Sequence, residues 1–227
     1  MFIFGENEAK VRIARYIARE FMELSRKRNL YVNLGVGIPT MVGDYIEGER
    51  VFLQAENGML GVGPAADTEH ADPQLINAGR IMVTETPGCC YFDSATSFGM
   101  VRGGHIDATV LGAFEVDQEG NVANWIIPNG KMLGVGGAMD LVSGANRVYI
   151  AMQHATSKRR GKLVPKCTLP VTGFAAVDVV VTEYAVFRFI DGKMTLTSKA
   201  DEITFEELKS VTPAEYSVSE HLDRYVH

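Results

Sequence analysis

The chain has 227 residues, of which 46% are hydrophobic and 22% are charged, an ordinary globular composition that can bury a sizeable core. Its formal net charge is -6, and the lack of a long basic run argues against nucleic acid as a partner. Three cysteines without a C-x-x-C spacing argue against a disulfide framework or a zinc site. No leader or long apolar run is visible, so we expect a cytoplasmic chain without membrane contact.

Helical and strand-like patterns alternate along the first half of the chain. Residues 6–28 carry apolar side chains at helical spacing, and Pro39 suits the first turn of a helix that continues through 40–46. Glu56 follows a short buried strand and precedes a glycine-rich loop. Further strands are predicted at 30–34, 51–54, 81–84 and 106–111, with a helix at 94–102.

The second half is richer in strands and tight turns. It contains two hairpin patterns, at 113–125 and 184–197, and Asp191-Gly192 favours a tight two-residue turn in the second. Strands are predicted at 147–153 and 175–182, and a short terminal helix at 205–210 is capped by Thr204. This order predicts an α/β core with added antiparallel hairpins. No linker rich in proline or serine interrupts it, so we expect one domain over residues 1–227.

The tetrapeptide Leu-Gly-Val-Gly occurs three times, at 34–37, 60–63 and 133–136. The unequal spacing excludes a regular repeat architecture. Glycine lets the backbone approach a ligand and leaves N–H groups unshielded, so three such loops could line one cleft. The alternative is that they are tight turns or points of close packing.

Glu56 is the candidate catalytic residue, because ligands of open α/β sheets bind outside the carboxyl ends of the strands. The alternative is a carboxylate that caps the Asn57-Gly58 turn. Motifs of P-loop NTPases, Rossmann folds, serine hydrolases and zinc proteases are absent from the sequence. The histidines show no ligand spacing, so no metal site is predicted, and Cys167 is interpreted as a structural thiol; the histidines are at 70, 105, 154, 221 and 227.

A carboxylate beside backbone donors suits covalent catalysis. A glutamate can attack an activated acyl carbon, and glycine N–H groups can stabilise the oxyanion that develops. Glu56 and Gly136-Gly137 could divide these two roles.

Seven segments, in order along nearly the whole chain, resemble the β subunit of family I CoA-transferases. The likeness is to the 3-oxoacid type, which includes butyrate–acetoacetate CoA-transferase. It implies an open, mostly parallel sheet with flanking helices, a fold shared with sugar-phosphate isomerases of the ribose-5-phosphate type. The segments are 33–39, 56–64, 77–79, 102–105, 123–125, 134–141 and 166–170.

The resemblance also implies the site. Glu56 matches the nucleophile that forms a glutamyl-CoA thioester, and Gly137 matches an oxyanion-hole glycine. Asn33, Arg80 and Gly134 match positions that contact coenzyme A, a substrate rather than a permanently bound cofactor. The family often has lysine where Arg80 stands, and serine where Ala55 stands.

The resemblance further implies a hetero-oligomer, because single-chain relatives carry a second homologous half that this sequence lacks. A separate α subunit should supply it. Two alternatives keep the fold: an acyl-CoA hydrolase, and a non-catalytic acyl-CoA-binding subunit. The acceptor acid, acetoacetate or another short acid, is not fixed by one chain, although residues 89–92 suggest an apolar acyl pocket.

Overall fold

The computed structural model describes residues 3–67, 69, 71–130 and 132–226. His70 and His227 therefore lie outside the described residues. The helices are α1 (Glu6–Ser25), α2 (Ile38–Val42, followed by a 3-10 turn Gly43–Tyr45), α3 (Ser94–Arg102), α4 (Ala138–Gly144) and α5 (Phe205–Val211). The strands are β1 (Leu30–Leu34), β2 (Val51–Ala55), β3 (Met59–Ala65), β4 (Val83–Tyr91), β5 (Ala108–Leu111), β6 (Glu115–Asp117), β7 (Val122–Ala123), β8 (Val148–Ala151), β9 (Leu163–Val164), β10 (Val179–Val181), β11 (Ala185–Ile190), β12 (Lys193–Lys199) and β13 (Ser217–Arg224).

The main sheet has ten strands in the order β13-β12-β11-β10-β8-β5-β1-β2-β3-β4. Its five central strands, β2, β1, β5, β8 and β10, are parallel. Antiparallel strands extend the sheet on both sides: β3 and β4 beyond β2, and β11 and β12 beyond β10. A small second sheet has the order β7-β6-β9. This architecture confirms the predicted fold class, a mostly parallel sheet with helices and antiparallel additions.

Burial explains why the central strands are so apolar. Every residue of β5, β8 and β10 is buried, as expected of parallel strands covered on both faces. Helix α1 packs its apolar stripe into the core, with Ile13, Ile17 and Phe21 fully buried. The Phe21 ring meets the Tyr149 ring edge-on, with centroids 5.1 Å apart.

The segment after Glu56 differs from the prediction of a glycine-rich loop, because residues 59–65 form β3, which pairs with β2 and β4. Glycines hid this strand, since they remove the alternation of side chains on which strand prediction depends. They are needed for close strand approach. At Gly61, where φ is +92°, a Cβ would lie 2.9 Å from the Cα of Cys89.

The predicted capped helix is confirmed as α5, in which Thr204 and Glu207 form a capping box. It is not the last element, because β13 follows and runs parallel to β12. Edge strand β13 is largely exposed, so its sequence lacks the apolar alternation of a half-buried strand. Helix α4 was also missed, because it is short and begins in a glycine loop.

No helix in the described part of the chain is long and apolar enough to cross a membrane.

Replacing Gly61 by alanine should destabilise the protein more than the same change at Gly88. Both glycines have positive φ, +92° and +85°, but a Cβ at Gly88 would meet nothing within 4 Å. The backbone strain is therefore matched, and the difference isolates the contact with β4. Such overpacking costs roughly 1–3 kcal/mol. Denaturant unfolding of G61A and G88A measures it, and equal stabilities would show that β3 does not need a close approach at Gly61.

Candidate active site

Three polar side chains form a row across neighbouring strands of the parallel sheet, near the strands' carboxyl ends. Asn33 on β1 pairs in register with Gln54 on β2 and with Thr109 on β5. Their exposures are 0%, 2% and 0%, so each must be hydrogen-bonded to avoid a free-energy penalty. We refer to Gln54, Asn33 and Thr109 as the polar row.

The polar row satisfies its own hydrogen bonds. Asn33 Nδ2 donates to Gln54 Oε1 at 2.7 Å, and Thr109 Oγ1 donates to Asn33 Oδ1 at 3.2 Å. Gln54 Nε2 donates to Ser97 Oγ on α3 at 2.7 Å. A connected buried network of this kind fixes the rotamer of each member.

Glu56 lies directly above this network. Its side chain is partly buried, and its Oε2 accepts a hydrogen bond from Asn33 Nδ2 at 3.2 Å. The following turn is closed by the N–H of Gly58, which donates to the carbonyl of Ala55 at 3.0 Å. At Gly58 φ is +126°, and a Cβ would overlap the carbonyl oxygen of Phe92. Only glycine fits there, so the Asn57-Gly58 turn holds Glu56 in place while Asn33 orients it.

The second carboxylate oxygen faces the predicted oxyanion glycine. Glu56 Oε1 lies 3.6 Å from the position that a Cβ of Gly137 would occupy. Ring carbons of Phe98 lie 2.8 Å from the same position, so a side chain at Gly137 would collide with the aromatic ring. The structure therefore brings Glu56 and Gly137 together, although they are far apart in sequence.

The loop before α4 presents unpaired donors. The N–H groups of Gly134, Gly136 and Gly137 donate no hydrogen bond within the described part of the chain. Gly134 and Gly136 have φ of +80° and +52°, and a Cβ on either would meet nothing within 4 Å. Backbone N–H groups that are free and held by a defined loop are suited to a developing negative charge.

Two of the three Leu-Gly-Val-Gly segments line one crevice at the carboxyl ends of the strands. The first contributes Gly35 and Val36, and the third contributes Leu133, Gly134 and Val135. The crevice encloses about 300 Å³ and also touches the ends of β5 and β8. The prediction that glycine loops share a cleft is therefore confirmed for these two copies.

The second copy lies within β3 and shares a neighbouring cavity of about 360 Å³ with the first copy. Val62 and Gly63 line this cavity together with Leu34, Val36 and Gly37, and Val36 also lines the crevice. Ala55 also lines this second cavity and is 4% exposed, packed with Met59 and Val83. The methyl group of Ala55 therefore faces an apolar space, where a serine hydroxyl would need a partner.

Arg80 occupies the tip of a tight turn over residues 77–80. The side chain is exposed, and its φ is +62°. The turn is held by Asn77 Oδ1, which accepts from the N–H groups of Gly79 and Ile81 at 2.9 and 3.0 Å. Asn57 Nδ2 donates to the carbonyl of Ile76 at 2.9 Å, so this turn is tied to the residue after Glu56.

The cysteines contribute little to this arrangement. Cys90 and Tyr91 are exposed on edge strand β4, and the Tyr91 hydroxyl donates to Glu85 at 2.6 Å. Tyr91 lines a cavity whose other walls include the polar residues Asp72, Gln74 and Glu85, so the apolar acyl pocket stays a prediction. Burial, with the carboxylates of Asp117 and Glu115, raises the pKa of the Cys167 thiol to about 12. Cys167 is therefore protonated at neutral pH and is not a nucleophile in this state.

The five predicted site residues thus occupy three kinds of position. Gly137 and Asn33 both approach Glu56, Gly134 lies in the crevice wall, and Arg80 lies on the exposed 77–80 turn. Asn33 is fully buried beneath Glu56, so its direct role is to orient the carboxylate; its contact with coenzyme A stays a prediction. Sequence reasoning missed Gln54 and Thr109, although a polar residue inside a short buried strand was a usable signal. Among the described residues no group of side chains could hold a metal ion.

Comparison with known proteins shows the family of this chain. The family model described as "Coenzyme A transferase" matches residues 27–210. The chain belongs to the coenzyme A transferase family. It is 48% identical over 217 residues to the β subunit of acetate CoA-transferase from Escherichia coli K12, covering 95% of this chain and 97% of that one. It is 46% identical over 207 residues to one subunit of the probable succinyl-CoA:3-ketoacid coenzyme A transferase of Bacillus subtilis, covering 91% and 95%. The predicted resemblance and enzyme class, a CoA-transferase, are confirmed.

A solved structure shows the same fold in a longer CoA-transferase. The acyl-CoA transferase apoenzyme from Escherichia coli O157:H7 superposes with a TM-score of 0.73 at 19% identity over 99% of this chain. The match spans 44% of that chain, so this chain corresponds to less than half of it. At this identity the likeness establishes the fold alone.

Replacing Asn33 by aspartate should destabilise the protein, because it removes both amide donors while keeping the side chain's shape. A buried acceptor left without its donor costs about 1–3 kcal/mol, and the new carboxylate also repels Glu56. Urea unfolding measures the loss. Asn146→Asp is the control, because that exposed amide makes one bond, to Gly104 O. If N33D were as stable as N146D, the hydrogen bonds of Asn33 in the polar row would not contribute to the free energy of unfolding.

Proposed function

We propose that this chain is the β subunit of a CoA-transferase that moves CoA between a short-chain acyl-CoA and a 3-oxoacid such as acetoacetate. The observation that carries the proposal is the setting of Glu56. One carboxylate oxygen accepts from buried Asn33, and the other faces Gly137. A carboxylate fixed in this way, beside unpaired backbone donors, is suited to nucleophilic attack on a thioester.

The first half-reaction loads the enzyme with CoA. Glu56 attacks the carbonyl carbon of the acyl-CoA, and the thioester bond breaks to give an acyl-glutamyl anhydride and CoA thiolate. The thiolate then attacks the glutamyl carbonyl carbon. This step releases the first acid as its carboxylate and leaves a glutamyl-CoA thioester on Glu56.

The second half-reaction reverses these bonds with a new acid. The incoming carboxylate attacks the glutamyl thioester, forming a new anhydride and releasing CoA thiolate. The thiolate attacks the acyl carbon of the bound acid, which gives the new acyl-CoA and restores the Glu56 carboxylate. The N–H of Gly137 would stabilise the oxyanion of each tetrahedral intermediate, and one such donor is worth about 2.7–4 kcal/mol.

We assign the exposed turn that carries Arg80, and the crevice lined by Gly134, to the binding of coenzyme A. Arg80 offers an exposed guanidinium that can pair with phosphate, and Gly134 offers a backbone approach without steric cover. Asn33 would orient the Glu56 carboxylate through its hydrogen bond to Oε2. Coenzyme A is a substrate in this scheme, and no permanently bound cofactor is required.

The partner would be a separate α subunit. Both relatives described above are named as single subunits of a CoA-transferase, and both match this chain over nearly their whole length. We propose that residues 1–227 form one domain of a cytoplasmic hetero-oligomer, and that the α subunit supplies the remaining part of the site.

Trapping the thioester tests the role of Glu56. The reconstituted complex is incubated with acetoacetyl-CoA and then reduced with borohydride or treated with hydroxylamine. The peptide that contains Glu56 should be modified in the wild type and in the exposed-surface control Glu49→Ala, and unmodified in Glu56→Ala. Modification that persists in Glu56→Ala would remove Glu56 from the mechanism. The products also decide the acceptor: free acid with free CoA indicates a hydrolase, and exchanged acyl-CoA indicates a transferase.

The chain alone should show no CoA transfer, and addition of the α subunit should restore it. The reason is that, in this proposal, part of the site lies on the α subunit. Steady-state assays across an α-subunit titration measure this dependence. Full turnover by the isolated chain would contradict the proposed division of the site.

A further inference from the structure

The crevice beside the glycine loop contains a lysine that the mechanism above does not use. Its walls are mostly apolar or glycine, including Val36, Leu111 and Val135. Among the described residues that line it, the polar side chains are Asn124, Gln153 and Lys162. Lys162 is the charged one.

The backbone of Lys162 is fixed on both sides. Its N–H donates to the carbonyl of His154 at 3.0 Å, and its carbonyl accepts from the N–H of Val116 at 3.0 Å. The His154 ring is itself immobilised, with Nδ1 and Nε2 at 3.0 and 2.9 Å from the hydroxyls of Thr182 and Thr212. The position of the Lys162 Cα and Cβ atoms is therefore fixed by backbone hydrogen bonds on both sides.

The ammonium makes no hydrogen bond or ion pair inside the described protein. The side chain is partly buried, yet it makes no hydrogen bond or ion pair with any described residue. Glu183 is the acidic group that influences it, but one of that carboxylate's oxygens accepts from the N–H of His154 at 2.8 Å. A partly buried cation that makes no hydrogen bond or ion pair is costly even with an acidic group in its surroundings, so a purely structural role leaves its position unexplained.

Two other groups at the crevice share this property. The Gln153 side chain makes no hydrogen bond with a described residue, and the N–H group of Gly134 is unpaired within the described chain. Lysine, amide and backbone N–H are all donors. A concave apolar space with several unused donors is suited to an anionic oxygen.

We propose that Lys162 is a substrate-binding residue whose ammonium binds an anionic oxygen in the crevice between the 34–37 and 133–137 loops. The oxygen belongs either to the carboxylate of the acid substrate or to a phosphate of the CoA thioester. Gln153 is the second donor. This inference rests on the proposed function for the identity of its ligand.

Deprotonation of the Lys162 ammonium sets an upper pH limit for binding of the anionic oxygen. Burial, partly offset by Glu183, lowers the pKa of Lys162 to about 8. The groups that face it are Glu183 and His154; burial lowers the pKa of the His154 ring to about 3, so that ring is neutral above mildly acidic pH. The cation is present below its pKa and is lost as the pH rises through it. Affinity for the anion should therefore fall above pH about 8 in the wild type.

The test uses the reconstituted complex with Lys162→Met, Lys162→Arg and a control, Lys193→Met, at an exposed lysine of the β11–β12 hairpin. KM for the acid and KM for the acyl-CoA are measured separately from two-substrate kinetics. Lys162→Met should raise one KM about 10- to 100-fold, the value of one charge-assisted hydrogen bond. Lys162→Arg should restore most of the affinity and remove the decline above pH 8. Lys193→Met should change neither KM.

The affected KM identifies the ligand. A rise for the acid alone assigns the carboxylate, and a rise for the acyl-CoA alone assigns the phosphate. Unchanged KM values, or a fall in kcat alone, would overturn the proposal. Thermal unfolding of each variant checks that the protein is folded, and recovery in Lys162→Arg separates lost charge from lost fold.

Calorimetric titration with free CoA and with acetate distinguishes failure of the proposed CoA-transferase function from failure of the proposed Lys162 binding site. If the wild-type complex showed no CoA transfer, but CoA or acetate bound more weakly to Lys162→Met, the proposed function would fail and the binding site would stand. If transfer occurred and Lys162→Met bound both ligands normally, the binding site alone would fail.

Discussion

The hydrogen bond from Asn33 to Glu56 is the contact on which the site depends. Asn33 is fully buried, and the same amide group donates to Gln54 and to Glu56. A rotation that improved one of these bonds would strain the other. The register of the parallel strands β1 and β2 therefore sets the direction of the Glu56 carboxylate. This contact distinguishes Glu56 from a solvated turn residue, and in the proposed mechanism it positions the carboxylate for nucleophilic attack.

Absent side chains shape the site as much as those that are present. Gly58 leaves room for the carbonyl of Phe92, Gly61 for Cys89, and Gly137 for the Phe98 ring beside Glu56. These three glycines come from a turn, a strand and a helix start. At each of them another part of the chain approaches closely. Gly58 and Gly61 allow Phe92 and β4 to pack against the segment that follows Glu56. The remaining glycines of the 133–137 loop leave donors uncovered, which is a different use of the same residue.

Much of the fold was predictable, because burial imposes patterns on the sequence. The central strands are short and largely apolar, and α5 and the β11–β12 hairpin carry clear cap and turn signals. Strand β3 was not predictable, since glycine erases alternation, and β13 was not, since an edge strand has little buried surface. In the site, Glu56 and Gly137 were indicated by resemblance, whereas their contact required the fold. The polar row and Lys162 depend on register and cavity shape, which a single sequence does not display.

We propose that Glu56 becomes covalently linked to each acid that passes through the site. In the proposed scheme, the oxygen that bridges the second anhydride comes from the incoming acid, and it stays on Glu56 when CoA attacks the acyl carbon. Turnover with an acid labelled in its carboxylate with the heavy oxygen isotope should therefore place that isotope in the Glu56 side chain. Mass spectrometry of the peptide containing Glu56 measures it. The label should accumulate with turnover in the wild-type complex, and CoA transfer without any label at Glu56 would exclude an anhydride between Glu56 and the acid.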